Sequence, residues 1–214
     1  MNLLFTTTTA IIGFGFAYLL LKSTEIVNEN KFGFIHLFDF PIVFQVIISL
    51  LILDLIGAYL VHLIEHKVPW MWKFHVVHHS DKNVDVTTGL RHHPGETVFR
   101  FLFTILGVYV SGASIGMVML YQSISVLFAH ITHANISLPK NLDRIVSYIL
   151  VTPNMHKVHH HFKLPLTDTN YGNIFSIWDR VFGTYTFVED SKSLVYGIDT
   201  HIKDKKIDSF STFL

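Results

Sequence analysis

Residues 3–21, LLFTTTTAIIGFGFAYLLL, carry no charged side chain, and neither do 41–53, the first half of a second apolar run that reaches Val61. About 20 apolar residues suffice to cross a bilayer as a helix. In lipid every backbone N–H and C=O must be satisfied within the segment, so these stretches predict helices. Nothing basic precedes the first run and no small-residue cleavage site precedes Lys22, which disfavours a removable signal peptide. Composition agrees with a membrane class. Half of the 214 residues are hydrophobic and 15% are charged, against roughly 25% in soluble domains. Residues 22–40 are mixed and polar and are expected to form a loop. Asp54 lies inside the second span, where an ionisable side chain is costly and marks either function or a structural polar contact between helices.

The 15 histidines are the second constraint. Residues three and four apart share a helix face. His62 and His66 are four apart. His75, His78 and His79 fall at i, i+3 and i+4, and His156, His159 and His160 repeat that spacing. Neutral imidazole is a common metal ligand and suits Zn, Cu, Fe and Ni. A catalytic zinc uses about three protein ligands. Eight histidines in three clusters are too many for one ion and about right for two. Two redox metals on neutral ligands beside lipid point to oxygen chemistry on an apolar substrate.

The run from Val98 to Ala129 then decides topology. It is long for one span and short for two. A single crossing would separate His75 from His156, so the passages must be even in number. This predicts a helical hairpin with its tip in the small-residue segment 111–116, either stopping partway through the bilayer or projecting on the histidine side. The amino terminus then shares the histidine side, and the 22–40 loop, with only Lys22 and Lys31, lies opposite. The remaining Lys and Arg make the histidine side cytoplasmic. The fold class expected is an all-α integral membrane protein: two spanning helices plus a helical hairpin, under a cytoplasmic histidine-rich catalytic cap. It forms one membrane-embedded domain, 1–214. Further expectations are Asn141 capping a helix that Pro153 ends, Asn154 capping the next, and a folded cap at 167–185.

Several functions are excluded or disfavoured. The chain has no cysteine, which removes thiolate metal sites, disulfides and a cysteine nucleophile. Gly-x-Ser-x-Gly and dinucleotide fingerprints are missing, and zero net charge offers no basic stripe for nucleic acid. One alternative survives. His62-Leu63-Ile64-Glu65-His66 is HxxEH, the signature of a zinc metallopeptidase whose glutamate activates metal-bound water. It leaves the other two clusters unexplained.

The pattern HxxxH, HxxHH, HxxHH around hydrophobic spans resembles the fatty acid hydroxylase / sterol desaturase superfamily of integral-membrane di-iron enzymes. PWMWKFHVVHHS at 69–80 is similar to its second box. Arg91-His92-His93-Pro94-Gly95-Glu96 resembles its R-x-H-P-x-E segment, and His133-Ala134-Asn135 its His-x-Asn segment. Thr152 to His156 opens the third box in the family manner, and 167–185 resembles the closing N-Y-G and W-D-R-x-F-G-T segments. The likeness covers 41–188. It implies as metal ligands His62, His66, His75, His78, His79, His133, His156, His159 and His160, with His93 a ligand or a support behind one. Leu63 departs from the arginine common in the first box, His130 and His161 are extra histidines beside expected positions, and His36, His92 and His201 have no counterpart. The resemblance further implies two iron ions (Fe2+/Fe3+), dioxygen, a lipid substrate (fatty acyl chain, sterol or related lipid) that is hydroxylated or desaturated, and a separate electron donor, a b-type cytochrome or ferredoxin with its reductase.

Overall fold

The computed structural model describes residues 2–189 and 193–198; His201 lies outside them. Nine α-helices carry the described part. They are α1 (Asn2–Glu29), α2 (Ile42–Asp54), α3 (Val61–Lys67), α4 (Pro69–His79), α5 (Pro94–Ser111), α6 (Ile115–His133), α7 (Lys140–Val146), α8 (Pro153–His159) and α9 (Ile177–Val181). A π-helical segment, Leu55–Leu60, joins α2 to α3 in one rod. Among the described residues there is no strand, only two isolated bridges, Leu150 with Phe175 and His161 with Tyr196.

Three helical stretches are long and apolar enough to cross a membrane: 6–36, Ile42–Lys67 and Ile115–His133. At ~1.5 Å per residue the 26-residue rod Ile42–Lys67 is about 39 Å long. The hydrocarbon layer is about 30 Å thick, so roughly one end of the rod projects beyond it. The end bearing His62 and His66 continues into α4 and the cap.

α1 runs past the expected boundary at residue 21 to Glu29. Its polar side chains are satisfied by the helix itself. Ser23 Oγ donates to the Leu19 carbonyl (2.8 Å), Thr24 Oγ1 to Leu21 (2.8 Å) and Asn28 Nδ2 to Thr24 (2.8 Å). Polarity at 22–29 therefore does not unwind the helix, and the connection to α2 shrinks to 30–41.

The hairpin of α5 and α6 forms, and its tip does not lie on the histidine side. It packs against residues 32–36, in the connection between α1 and α2, at the end opposite the histidines. Two left-handed glycines meet there, Gly33 (φ 95°) and Gly112 (φ 85°). A Cβ on Gly33 would stand 2.2 Å from the Gly112 nitrogen, so no larger residue fits this backbone contact. The apolar centre of the bundle, Leu53, Val108, Met117, Val118 and Tyr121, packs between this tip and the histidines.

Asp54 proves structural. Fully buried, it accepts from the backbone N–H of Phe175 (3.1 Å) and Ile174 (3.3 Å) and from Trp178 Nε1 (3.1 Å). It fastens the cap to the membrane rod. Asp54→Ala would strand one buried and two partly buried donors, each costing up to about 1–3 kcal/mol. The expected result is a loss of roughly 3–5 kcal/mol, read as a lowered thermal midpoint and early protease cleavage within 167–185. A midpoint equal to that of the parent would refute this role.

Capping also differs from expectation. α7 ends at Val146, and Pro153 opens α8 instead of ending α7. Thr152 caps α8, its Oγ1 accepting from Met155 N (3.1 Å). Asn154 donates to the Leu138 carbonyl (3.0 Å), and Pro139, not Asn141, occupies the cap position of α7.

Candidate metal centre

The local sequence explains how the histidines are presented. The proline at Pro69 begins α4 one residue after α3 ends, turning the chain so that α4 folds back beside α3. α8 begins on another proline and a threonine cap. α6 delivers His133 from its last turn.

These elements bring all nine histidines named above into two abutting groups. His62, His66, His75, His79 and His159 form one; His78, His133, His156 and His160 form the other. Within each group one ring nitrogen per residue lies within 4.8 Å of the others. His79 and His160 stack across the seam, ring centres 4.7 Å apart. Eight of the nine are buried, and the side chain of His66 is equally hidden.

Hydrogen bonds behind the rings fix their tautomers. A carbonyl oxygen can only accept, so the Nδ1 facing it must carry the proton. His62 Nδ1 donates to the Tyr171 carbonyl (2.8 Å), His159 Nδ1 to Thr169 (2.8 Å) and His133 Nδ1 to Ala129 (2.6 Å). His75 Nδ1 donates to Glu96 Oε1 (3.0 Å). Each of these rings then turns a bare Nε2 lone pair inward. His62 and His75 bring such lone pairs to 3.1 Å from each other. His133 Nε2 stands 3.0–3.1 Å from Nε2 of His78, His156 and His160. Facing lone pairs at that distance repel unless a cation lies between them. Ligands about 2.0–2.1 Å from one ion stand roughly 3–3.4 Å apart, so both groups fit a bound metal. Support of ligand rings from behind is itself typical of metal sites.

Burial, then the neighbouring imidazoles, holds His78, His79, His156 and His160 neutral, well below the usual histidine range. Burial likewise lowers His75, against the pull of Glu96, and His159 falls to about 3. Neutrality is what ligation requires. It also sets a pH window. The unfolded chain protonates these groups near pH 6.5 and the folded chain does not. Stability is therefore fully present above pH 6.5 and falls as pH drops below it, by up to about 1.4 kcal/mol per pH unit for each histidine. The expected melting midpoint is flat from pH 7 to 8.5 and collapses below about pH 6. A midpoint that rises on acidification would contradict this arrangement.

Glu65 does not stand where a peptidase base would. Its Oε2 accepts from Arg100 Nη2 (2.7 Å) and lies 3.7 Å from His75 Nδ1, behind the ring and away from the inward Nε2. Glu96 accepts from His75, from His92 Nδ1 (2.8 Å) and from Arg100 Nε (2.9 Å). The buried carboxylates of Glu65 and Glu96 and the partly buried guanidinium of Arg100 thus form a support behind the first group.

The adjacent histidines of the RHHPGE segment take unexpected places. His93 stands outside both groups: its Nδ1 accepts from Gly95 N (3.0 Å) and caps α5, and its ring lies on Phe74. His92, which sequence had left as ordinary, stacks on His78 with ring centres 4.8 Å apart and an interplanar angle of 9°. His130 Nδ1 donates to the Val86 carbonyl (3.2 Å) and His161 packs with Val195, so neither extra histidine joins a group. Arg100 was missed by sequence reasoning, although a lone arginine inside the 98–129 apolar run was a signal.

A cavity of about 350 Å³ opens onto the histidines. His62, His78, His133 and His156 line one end, and its walls come from α1, the π-helical segment, α5 and α6. Val126, 55% exposed, is among the residues that line it.

A family model described as fatty acid hydroxylase matches residues 46–184. Ornithine lipid hydroxylase OlsE of Rhizobium tropici is 31% identical over 148 residues, 69% of this chain and 43% of that protein. Alkylglycerol monooxygenase of Xenopus tropicalis is 33% identical over 145 residues, 68% of this chain and 31% of that protein. Cholesterol 25-hydroxylase of Rattus norvegicus is 24% identical over 157 residues, 73% of this chain and 51% of that protein. The chain spans less than half the length of the first two. No solved structure matches it significantly. With the family match covering both histidine groups and the cap, the chain belongs to the fatty acid hydroxylase family.

Proposed function

We propose that this chain is a membrane-bound, non-haem di-iron oxidoreductase that uses dioxygen to hydroxylate or desaturate a lipid. The observation that carries the reading is the pair of inward-facing lone-pair sets, 3.0–3.2 Å between nitrogens, beside a cavity walled by the membrane-length helices. The names of the relatives, which are lipid hydroxylases and monooxygenases, support it. The nine histidines would hold the ions, five in one group and four in the other. When bound, a pair of iron ions would supply the activation of dioxygen against an unactivated C–H bond.

The protein's own part is positioning and exclusion of water. The Tyr171 and Thr169 carbonyls hold the rings of His62 and His159. Asp179 secures that stretch of the cap by accepting from Tyr171 N (2.7 Å), Gly172 N (2.9 Å) and Thr184 Oγ1 (2.7 Å). A closed cap limits side reactions of a reactive intermediate. Electrons would come from a separate b-type cytochrome or ferredoxin with its reductase. The test is incubation of purified protein with total lipid extract and an electron donor, with and without oxygen, read by mass spectrometry. Gain of one oxygen or loss of two hydrogens only in air is expected. Equal products without oxygen would defeat the proposal.

The reading places the histidine side in the cytoplasm in a multi-pass chain. Because the chain has no cysteine, single introduced cysteines report each face. Asn83→Cys and Lys163→Cys should label from the cytoplasmic side and Lys31→Cys from the other. Labelling of the first two from opposite faces would refute this topology.

A further inference from the structure

α7 and the turn after it are built inside out. Asp143 and Ser147, one turn apart, are buried. Leu142, Ile145 and Ile149, at i, i+3 and i+7, are exposed, Ile145 by 69% and Ile149 by 61%. A helix in water hides its apolar stripe and shows its polar one. Here the order is reversed. The inward side is tied to α9 by polar groups: the Ser147 carbonyl accepts from Ser176 Oγ (2.6 Å) and from Arg180 Nη2 (2.9 Å). The basic residues avoid the apolar side. Lys140 and Arg144, four apart, both reach Glu189. At the end of α9, Val181 and Phe182 add two more exposed apolar side chains. A patch of this kind marks an interaction surface, where single exposed apolar residues would not.

Hydrogen bonds fix how deep this surface lies. Asp54 is the thirteenth residue of the rod that starts at Ile42, about 20 Å along it at ~1.5 Å per residue. A hydrocarbon layer about 30 Å thick then extends about 10 Å past Asp54 toward the histidines. Asp54 accepts from Phe175 N, and the next residue, Ser176, donates its N–H to the Ile149 carbonyl (3.0 Å). Ile149 is thereby held at the level of Asp54, inside the layer. Phe182 stacks on Tyr59 of the rod, ring centres 5.3 Å apart, five residues nearer the histidines and close to the edge of the layer. Tyr148 is exposed with the Arg180 guanidinium 4.6 Å over its ring, a pairing of apolar body and polar tip that suits the headgroup level.

We infer that one edge of the cap is sunk in the bilayer, with Leu142, Ile145, Ile149, Val181 and Phe182 against the acyl chains. None of these residues belongs to the three membrane-length stretches. The inference rests on the rod Ile42–Lys67 crossing the bilayer, as in the membrane-bound reading above, and goes beyond it, because the sequence places the whole cap in the cytoplasm. Depth selects the occupant: at the level of Asp54 the surrounding medium is hydrocarbon. The separation of Lys140 and Arg144 from the apolar side is that of a helix lying in the plane of the membrane surface.

The test uses the full chain, which has no cysteine of its own, in phosphatidylcholine nanodiscs. Ile145→Cys, Ile149→Cys and Val181→Cys each carry a bimane fluorophore at an exposed position. Ile47→Cys, on the exposed side of the rod, is the lipid reference, and Asn83→Cys, in the loop after α4, is the water reference. Lipids bearing a nitroxide on the acyl chain should quench the three test positions as they quench Ile47→Cys. Aqueous iodide should quench them about 5-fold less than Asn83→Cys, because an ion enters hydrocarbon only at high cost. Three positions on two elements keep the result independent of how any one variant folds. Iodide quenching equal to that of Asn83→Cys, with Ile47→Cys still quenched by lipid, would overturn the sunken edge and leave the membrane-bound reading standing. Shielding from both quenchers would mean that a second copy or another protein covers the surface, and would overturn it too. Loss of lipid quenching at Ile47→Cys as well would overturn the two readings together.

Discussion

Replacing His79 or His160 with alanine will abolish the proposed dioxygen-dependent lipid oxidation, with an expected loss on the order of 100-fold or more. The two rings sit at the seam between the groups. His79 packs against His66, His75 and His159 with ring centres 4.6–4.8 Å apart. His160 Nε2 stands 3.1 Å from His133 Nε2 and 3.2 Å from His156 Nε2. Neither ring belongs to the packed apolar centre between the membrane helices, so the variants should extract and migrate as the parent does. Aerobic incubation with lipid extract and an electron donor, followed by mass spectrometry, measures the loss. Full turnover by either variant would remove the histidine groups from the reaction.

Metal content gives the second large effect. The parent should carry two ions per chain, one for each group, because the two groups share no residue. His159→Ala subtracts from the group of five and His156→Ala from the group of four. Each single variant is expected to hold the ion of its own group more weakly and leave the other unchanged, and the double variant to hold both more weakly. Elemental analysis of detergent-purified protein decides this. One zinc per chain, retained by both single variants, would instead favour the HxxEH peptidase and would require Glu65 to leave Arg100.

Much of this was legible in the sequence because helical spacing is local. The i, i+3, i+4 sets at His75 and His156 project to one face whatever the tertiary context, and the need for a shared site forced the hairpin. The depth of its tip was not legible, since it depends on two glycines 79 positions apart meeting backbone to backbone (33 and 112). The end of α1 was misjudged because Ser23, Thr24 and Asn28 read as loop formers, whereas here their side chains bond to carbonyls of the preceding turn. Asp54 was found but its role was open, because its partners lie 120 and more residues away. The choice between His92 and His93 turned on which ring caps α5, a matter of one residue that spacing alone does not resolve.

The π-helical segment at Leu55–Leu60 sets the phase of the whole rod. Its wider turn, with i→i+5 bonds, is the signature of a single residue inserted into an α-helix. One residue is about 100° of rotation. Upstream of the segment the rod offers Asp54 to Phe175 and Trp178; downstream it offers His62 and His66 to the other histidines. Deleting any one residue between 55 and 60 would restore a regular helix and still cross the membrane, yet it would swing both imidazoles away from their partners while the cap stayed fastened. Length can vary at many loops of this protein, but inside this turn the count of residues is itself part of the metal site.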